Sequence, residues 1–435
     1  MSARPKDQQA LSRPVKRSPS AHRADPKGHV SEKWPRFSAS NDAPLKKESI
    51  GSIPKVGPTF GSDALEAAEA ARRRMDDPAY RVERDRRRGR GAVSNPTGRY
   101  EPAQREGFDD GWDIEEELPP LPTEVIIEKP RTIITKNDSP DILFEKSINP
   151  YRGCEHGCSY CFARPTHAYQ GLSSGLDFET KIFAKPNAAE LLEKELRASN
   201  YQPTTIALGA NTDPYQPVER KFRITRSILE VLNRANHPVG IVTKSALVTR
   251  DIDLLSQMAD KHLVKVAISI TTLDPKLARK MEPRAATPAK RLETVRKLSE
   301  AGIPVSVLVA PIIPAINDHE IEAVLKASQL AGAQEAGYVL LRLPHDLKDL
   351  MRDWLVEHYP DKLKHVFSLL QEARGGKDYD PAWSTRQSGV GPYAWMIGRR
   401  FETAAERLGL NKRNLSLRKD LFKAPAKETG QLSLF

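Results

Sequence analysis

The stretch that decides the fold is Asn149-Pro-Tyr-Arg-Gly-Cys154-Glu-His-Gly-Cys158-Ser-Tyr-Cys161-Phe-Ala-Arg-Pro-Thr-His167. It holds all 3 cysteines of the chain in a single short loop. Three thiolates so close together repel one another and invite a metal. Three readings are open at this point. Buried structural thiols would need no such grouping. Zinc could take Cys154, Cys158 and Cys161 with His156 as a fourth tetrahedral ligand, but structural zinc sites usually draw ligand pairs from two separated segments, and no second pair exists. An iron–sulfur cluster fits better, because thiolates are its usual ligands and a [4Fe–4S] cube normally takes four. Three leave one iron open to an outside ligand. Gly153 and Gly157 let the backbone turn tightly around a bulky inorganic core.

Working outward, short apolar runs rich in β-branched residues recur at 204–208 (TTIAL), 239–243 (VGIVT), 264–270 (VKVAISI), 304–309 (PVSVLV) and 338–342 (YVLLR). Strands are also expected at 124–127 and 132–135, around the Lys129–Pro130 break. Helical segments lie between the runs. Thr287 before Pro288 opens one and Gly302 closes it; Asn317 with Glu320 reads as a capping box. Apolar strands alternating with helices mean a parallel sheet covered on at least one face, with chemistry at the carboxyl ends of its strands. The pattern leaves an open doubly wound sheet and a full or partial barrel unresolved. Beyond Leu343, 345–374 and 393–410 read as amphipathic helices around a glycine-containing loop, 375–391.

The cysteine spacing, Cys-x3-Cys-x2-Cys with Tyr160 before the last cysteine, resembles the radical S-adenosylmethionine (SAM) superfamily. The longer stretch 149–167 is similar to its spore photoproduct lyase-like, or DNA repair photolyase-like, branch. The resemblance runs from about Ser147 to Arg342. It implies a partial (β/α)6 TIM-type barrel of the α/β class. It also implies a [4Fe–4S] cluster on Cys154, Cys158 and Cys161 whose open iron chelates SAM. One electron, from a donor such as flavodoxin or ferredoxin, would cleave the sulfonium and give a 5′-deoxyadenosyl radical. Lys244 and Ser269, at strand ends, would contact SAM, with Tyr160 beside them. One departure stands out: the lyase needs a cysteine outside the cluster to return a hydrogen atom, and none remains here. A tyrosine such as Tyr160, Tyr169 or Tyr215 would have to serve.

Other residues are read from chemistry alone. The polar loop Gly209-Ala-Asn-Thr-Asp-Pro-Tyr-Gln-Pro-Val-Glu219 is costly to bury unless its groups are satisfied, which places it at the site mouth. Asn211, Thr212 and Asp213 then bind the methionyl or ribose part of the cofactor, or cap their own turn. Arg284 is placed near the same rim, to pair with Glu282 or take an anionic substrate. Arg152, Arg164 and His167 flank the cysteine loop, to hold its backbone or offset its charge.

The ends carry a different signal. Residues 1–60 hold 12 Lys/Arg against 5 Asp/Glu and eight prolines. They read as a disordered basic arm within 1–122, followed by a short helix at 63–75, an arginine-dense run at 81–90 and an acidic stretch at 109–122. The barrel is assigned to 123–343, the helical extension to 344–410 and a flexible tail to 411–435. That tail ends in Gln431-Leu432-Ser-Leu434-Phe435, which looks like the peptide by which bacterial DNA polymerases and repair proteins bind the β sliding clamp. The net charge, 68 − 57 = +11, favours a polyanionic partner. No run of 18 apolar residues occurs, and the amino end has no apolar core segment, so a membrane span and a secretory signal are not expected. The odd cysteine count suits a reducing, cytoplasmic setting. The expectation is a radical SAM lyase acting on damaged or modified DNA. The alternatives are the same chemistry on RNA or protein, and a DNA-bound iron–sulfur redox sensor.

Overall fold

The computed structural model describes residues 62–77, 80–102, 120–142, 144–412 and 415–426. Its strands are β1 (Glu124–Ile127), β2 (Ile134–Lys136), β3 (Lys146–Ile148), β4 (Tyr151–Arg152), β5 (Lys181–Ala184), β6 (Ile206–Leu208), β7 (Val239–Thr243), β8 (Val264–Ser269), β9 (Val305–Ile312) and β10 (Glu335–Leu340). β6 and β8 are buried at every residue. Burial on both faces is what parallel strands covered by helices require. The main sheet has the order β10-β9-β8-β7-β6-β3-β2; β3 and β6 to β10 pair in parallel, and β2 lies antiparallel at the β3 edge.

That order resolves the alternative left by the sequence. The parallel strands succeed one another without reversal, whereas a doubly wound sheet changes direction at a switch point. With right-handed crossovers, unreversed order puts every crossover helix on the same face and curls the sheet into a barrel. The chain is a partial TIM-type barrel. Its helices turn their apolar stripes to the sheet: Ile224–Arg234 buries Ile228, Leu229, Val231 and Leu232, and Pro288–Glu300 buries Val295 and Leu298.

Several local expectations hold. The Thr287 hydroxyl accepts the Lys290 N–H at the start of its helix, and Gly302 follows that helix at φ 75°. A helix forms over Ser62–Asp76. Others shift. The Asn317–Glu320 capping box does not form. Asn317 instead accepts the Ile313 N–H at 2.6 Å and donates to the Thr271 and Pro311 carbonyls, while Glu320 accepts from Thr272 and Leu273. The helix expected over 345–374 is two, Leu347–His358 and Leu363–Glu372, interrupted at Pro360. β3, the strand that leads into the cysteine loop, is only three residues long, too short for its bounds to be read from a period.

A second core lies under the cysteine loop, where Cys158, Tyr160 and Met281 pack with Trp354, Leu355 and Phe367 of the carboxyl-terminal helices. Residues 80–102, grouped by composition with the basic arm, also serve this region. Arg74, Tyr80 and Ser94 all donate to buried Asp353 of helix Leu347–His358, and Arg81 and Arg87 pair with Glu357. Among the described residues no helix is long and apolar enough to cross a membrane. The terminal peptide, Gln431 to Phe435, and the basic arm 1–61 lie outside the described residues.

Candidate active site

The cysteine loop leaves the barrel after β3 and is fastened from three sides. β4 pairs antiparallel with β5, which also pairs with β1 in a small sheet of order β1-β5-β4. The Cys154 N–H donates to the Phe178 carbonyl at 2.9 Å. Gly153 has φ 74°, and a Cβ there would stand 2.9 Å from the Lys181 and Phe178 carbonyl oxygens, so only glycine fits. From inside, Arg164 is fully buried. Its Nε donates to the Cys158 carbonyl at 2.8 Å, and its remaining donors reach the Ser174 and Gly175 carbonyls and the Glu179 carboxylate. Glu179 also accepts the backbone N–H groups of Gly91 and Ala92, each at 2.8 Å. Gly91 packs so closely on Gly157 that a Cβ would fall 1.7 Å from the Gly157 carbonyl oxygen.

The loop faces a cavity of about 200 Å³ at the carboxyl ends of the parallel strands. Cys154, Cys158 and Cys161 line one wall. Gly209 to Asp213 follow β6, Thr243 and Lys244 end β7, Ser269 ends β8, Ala310 and Pro311 come from β9, and Leu341 and Arg342 follow β10. Gly209 sits at φ 90°, where a Cβ would meet the Val242 carbonyl oxygen at 2.1 Å.

The electrostatics are set by burial and pairing. Burial pushes the Cys158 thiol up to about 12 and Cys154 well above its ordinary value, with Asp213 and the neighbouring thiols adding to the Cys154 rise. Metal binding would displace these protons, so it would be coupled to pH. Burial opposes the charge on Lys244, but Cys158 and Glu282 more than offset it, so its ammonium is held above the usual lysine value. Its Nζ lies 5.7 Å from the Tyr160 ring centroid. Glu282 is held at about 2: burial works against its charge, and Arg291 and Lys244 outweigh it. Arg291 pairs with Glu282, which also accepts the Tyr160 and Thr271 hydroxyls.

The cavity therefore gathers most of the residues the sequence singled out: the cysteines, Tyr160, Asn211, Thr212, Asp213, Lys244 and Ser269. Asp213 is at the wall, yet its oxygens are occupied. It accepts from Thr243 at 2.7 Å, the Lys244 N–H at 2.8 Å and the Tyr215 N–H at 2.9 Å, and faces His156 Nδ1 at 3.3 Å. Burial raises and these partners lower its pKa, to about 2. It caps its turn and fixes the β6 loop to the end of β7. Thr212 likewise spends its hydroxyl on the Tyr151 carbonyl.

Three expected residues, Tyr215, Arg284 and Tyr169, are elsewhere. Tyr215 is fully buried behind the cavity with its hydroxyl on Asp251 at 3.1 Å, so no substrate radical can reach it. Arg284 does not meet Glu282 or the cavity; it pairs with Glu155 at 3.0 Å on the outer side of the cysteine loop, because Glu282 is taken by Arg291. Tyr169 is 68 % exposed and stacks on Tyr100. Arg152 is bound to Glu128, and His167 meets the Lys181 carbonyl, with burial lowering its pKa to about 4. Sequence reasoning missed Arg342 and Phe162 in the cavity wall and Glu179 beneath the loop. A cation closing the last apolar run was the available signal for Arg342; Glu179 had none.

Among the described residues no three His, Cys, Asp or Glu side chains are grouped to hold a single metal ion. The three thiols instead share the wall of a cavity with space for a core of several atoms. The donor set fits an iron–sulfur cluster, and the polar groups of Asn211, Lys244 and Ser269 together with aliphatic Val242, Leu308 and Val339 fit an amphipathic nucleoside.

A family model described as the Radical SAM superfamily matches residues 148–327. An uncharacterized protein of Mycobacterium tuberculosis is 36% identical over 228 residues, which cover 52% of this chain and 67% of that one. A radical SAM Nalpha-GlyT isomerase of Pseudomonas phage M6 is 26% identical over 176 residues, covering 39% of this chain and 34% of its own. Among solved structures, a spore photoproduct lyase aligns over 68% of this chain and 86% of its own at 16% identity, with a TM-score of 0.48.

Proposed function

The chain belongs to the radical SAM superfamily, and from that premise we propose that it is an enzyme acting on damaged or modified DNA, with lyase-type repair as the reaction class. Enzymes of this superfamily bind a [4Fe–4S] cluster and SAM, which together supply a 5′-deoxyadenosyl radical for hydrogen abstraction. Here Cys154, Cys158 and Cys161 would hold the cluster, and Lys244 the carboxylate of SAM. The observation that carries the reading is the shared wall: three thiols and a lysine without a side-chain hydrogen bond or ion pair among the described residues face one cavity at the strand ends.

The chain's own residues do the positioning. Arg164 and Glu179 hold the cysteine loop, Asp213 locks the β6 loop to β7, and the charge of Glu282 favours the ammonium of Lys244, beside which the Tyr160 ring lies. Because the Tyr160 hydroxyl is committed to Glu282, we assign Tyr160 to placing its ring beside Lys244 rather than to hydrogen-atom return. The aliphatic wall excludes water from the reacting C–H bond. DNA is supported by the net charge of +11 and by the clamp-like peptide at Gln431, Leu432, Leu434 and Phe435. Such a peptide inserts leucines and a phenylalanine into an apolar cleft at modest affinity. A one-electron donor of the flavodoxin or ferredoxin kind completes the partners.

Anaerobic reconstitution with iron and sulfide, followed by reduction with SAM, should yield a brown protein that makes 5′-deoxyadenosine. Cys158→Ala should do neither; a variant that does both refutes the ligand assignment. Incubation with ultraviolet-irradiated and intact DNA then addresses the substrate: no altered product and equal binding to both would count against repair. Deleting 431–435 should abolish binding to the β sliding clamp and leave 5′-deoxyadenosine formation unchanged.

A further inference from the structure

One cation in the cavity wall has no task in the function so far described. Arg342 lies just past the end of β10 and lines the cavity. Among the described residues its guanidinium has no hydrogen-bond or ion-pair partner. Neighbouring buried arginines are all engaged: Arg164 by Glu179 and three carbonyls, Arg291 by Glu282 and the Ser269 carbonyl, Arg374 by the Leu340 and Leu341 carbonyls. Arg342 is instead stacked, with its Cζ 4.7 Å from the centroid of the Phe162 ring. Phe162 follows Cys161 directly and is 46 % exposed, which marks this side as the cavity's opening.

An unpaired guanidinium half out of water is costly unless an anion is its intended partner. Lys244 is the other cation of the wall, but β7 and β10 are three strand spacings apart, roughly 14 Å along the sheet. The two stand at different points of the wall. Lys244 lies beside Cys158 and Tyr160, and Arg342 at the opening. The carboxylate in the wall is that of Asp213, and it is fully occupied; Asp141, whose charge also reaches Arg342, is paired with Arg386 at 2.5 Å. The opening is therefore set for a second anion, borne by the substrate.

We propose that Arg342, braced on Phe162, binds a phosphodiester group of a nucleic-acid strand and so determines which nucleotide faces the cavity. This rests on the nucleic-acid reading above and deepens it. A guanidinium presents two parallel N–H donors to a phosphate, which lysine cannot reproduce. The ring covers one face of the fork and restrains its swing, so little order is lost on binding. The strongly basic chain favours a phosphodiester over an isolated carboxylate.

The test uses the full-length reconstituted protein under anaerobic conditions. Binding of fluorescein-labelled dT10 and rU10 is followed by anisotropy across a salt series, and SAM binding is measured separately. Arg342→Gln should weaken binding of one or both oligonucleotides about 10- to 100-fold. It should also flatten the log K against log salt slope by about 0.7, the loss of one single-strand phosphate contact, with SAM affinity unchanged. Arg342→Lys should keep the slope and lose part of the affinity. The preferred oligonucleotide tells DNA from RNA, and either preference supports the role of Arg342. Unchanged affinity and slope in Arg342→Gln overturn the inference while leaving the nucleic-acid reading intact. Lost SAM affinity with unchanged oligonucleotide binding reassigns Arg342 to the cofactor and also overturns it. A wild-type protein that binds neither oligonucleotide sinks both.

Discussion

Glu179→Gln keeps the shape of a side chain and removes its charge at the point where the amino-terminal segment meets the cysteine loop. Glu179 is fully buried; its Oε2 accepts the Gly91 N–H, and its Oε1 accepts the Ala92 N–H and the Arg164 guanidinium. An amide has a single acceptor oxygen. Whichever way it turns, its NH2 group meets at least one backbone N–H donor, and the buried Arg164 cation loses its counter-charge. Removing one member of a buried ion pair costs about 3–5 kcal/mol. An orphaned buried donor costs about 1–3 kcal/mol. The two effects overlap, so the total should be about 4 kcal/mol, a large share of the roughly 5–15 kcal/mol that holds a domain folded. The cost falls on the cysteine loop, because Arg164 also holds the Cys158 carbonyl. Urea unfolding gives the stability, and iron and sulfide content after reconstitution gives cluster retention; both should fall. Arg164→Met and the double variant complete a cycle in which the double change should cost at least ~2 kcal/mol less than the sum of the singles. A loss below ~1 kcal/mol for Glu179→Gln, or strictly additive costs, would refute the claim that this carboxylate clamps the loop.

Three other outcomes are expected. Lys244→Met should lower SAM affinity about 30-fold, the loss of one charged hydrogen bond worth ~2 kcal/mol, while the visible spectrum of the cluster persists; equilibrium binding with and without reconstitution checks it. Gly209→Ala forces a Cβ onto the Val242 carbonyl oxygen at φ 90° and should cost about 3 kcal/mol in urea unfolding. Burial holds His167 and His237 at about 4, below the ordinary value of 6.5. Between those limits the unfolded chain binds more protons than the folded one, so their contribution is complete above about pH 6.5 and is lost as pH falls toward 4. Each shift is worth at most ~3 kcal/mol, and His237→Gln should flatten the stability profile between pH 7 and 4.5.

The cysteine loop, the alternation of strand and helix, and the placement of chemistry at strand ends were legible in the sequence. Each is a local property: three thiols in one loop, apolar runs of β-branched residues, caps such as Thr287. Strand ends were legible less well. The last strand ends at Leu340 rather than Arg342, which leaves Arg342 beyond it at the cavity opening. Residues 80–102 were grouped with a solvated arm because arginines in a row look alike whether they face water or a carboxylate.

Sequence by itself determined the three-thiol loop and the kind of sheet, since cysteine spacing and hydrophobic period are written within a few residues of one another. Tertiary structure alone decided the unreversed strand order that bends the sheet into a partial barrel. It also decided the partners of each charge: Glu179 with Arg164, Glu282 with Arg291, Arg284 with Glu155, and none for Arg342 among the described residues. The physical reason is range. A cap or a cysteine loop is satisfied by its neighbours along the chain, whereas a buried charge must be met by whichever opposite charge the packed strands and helices bring within reach.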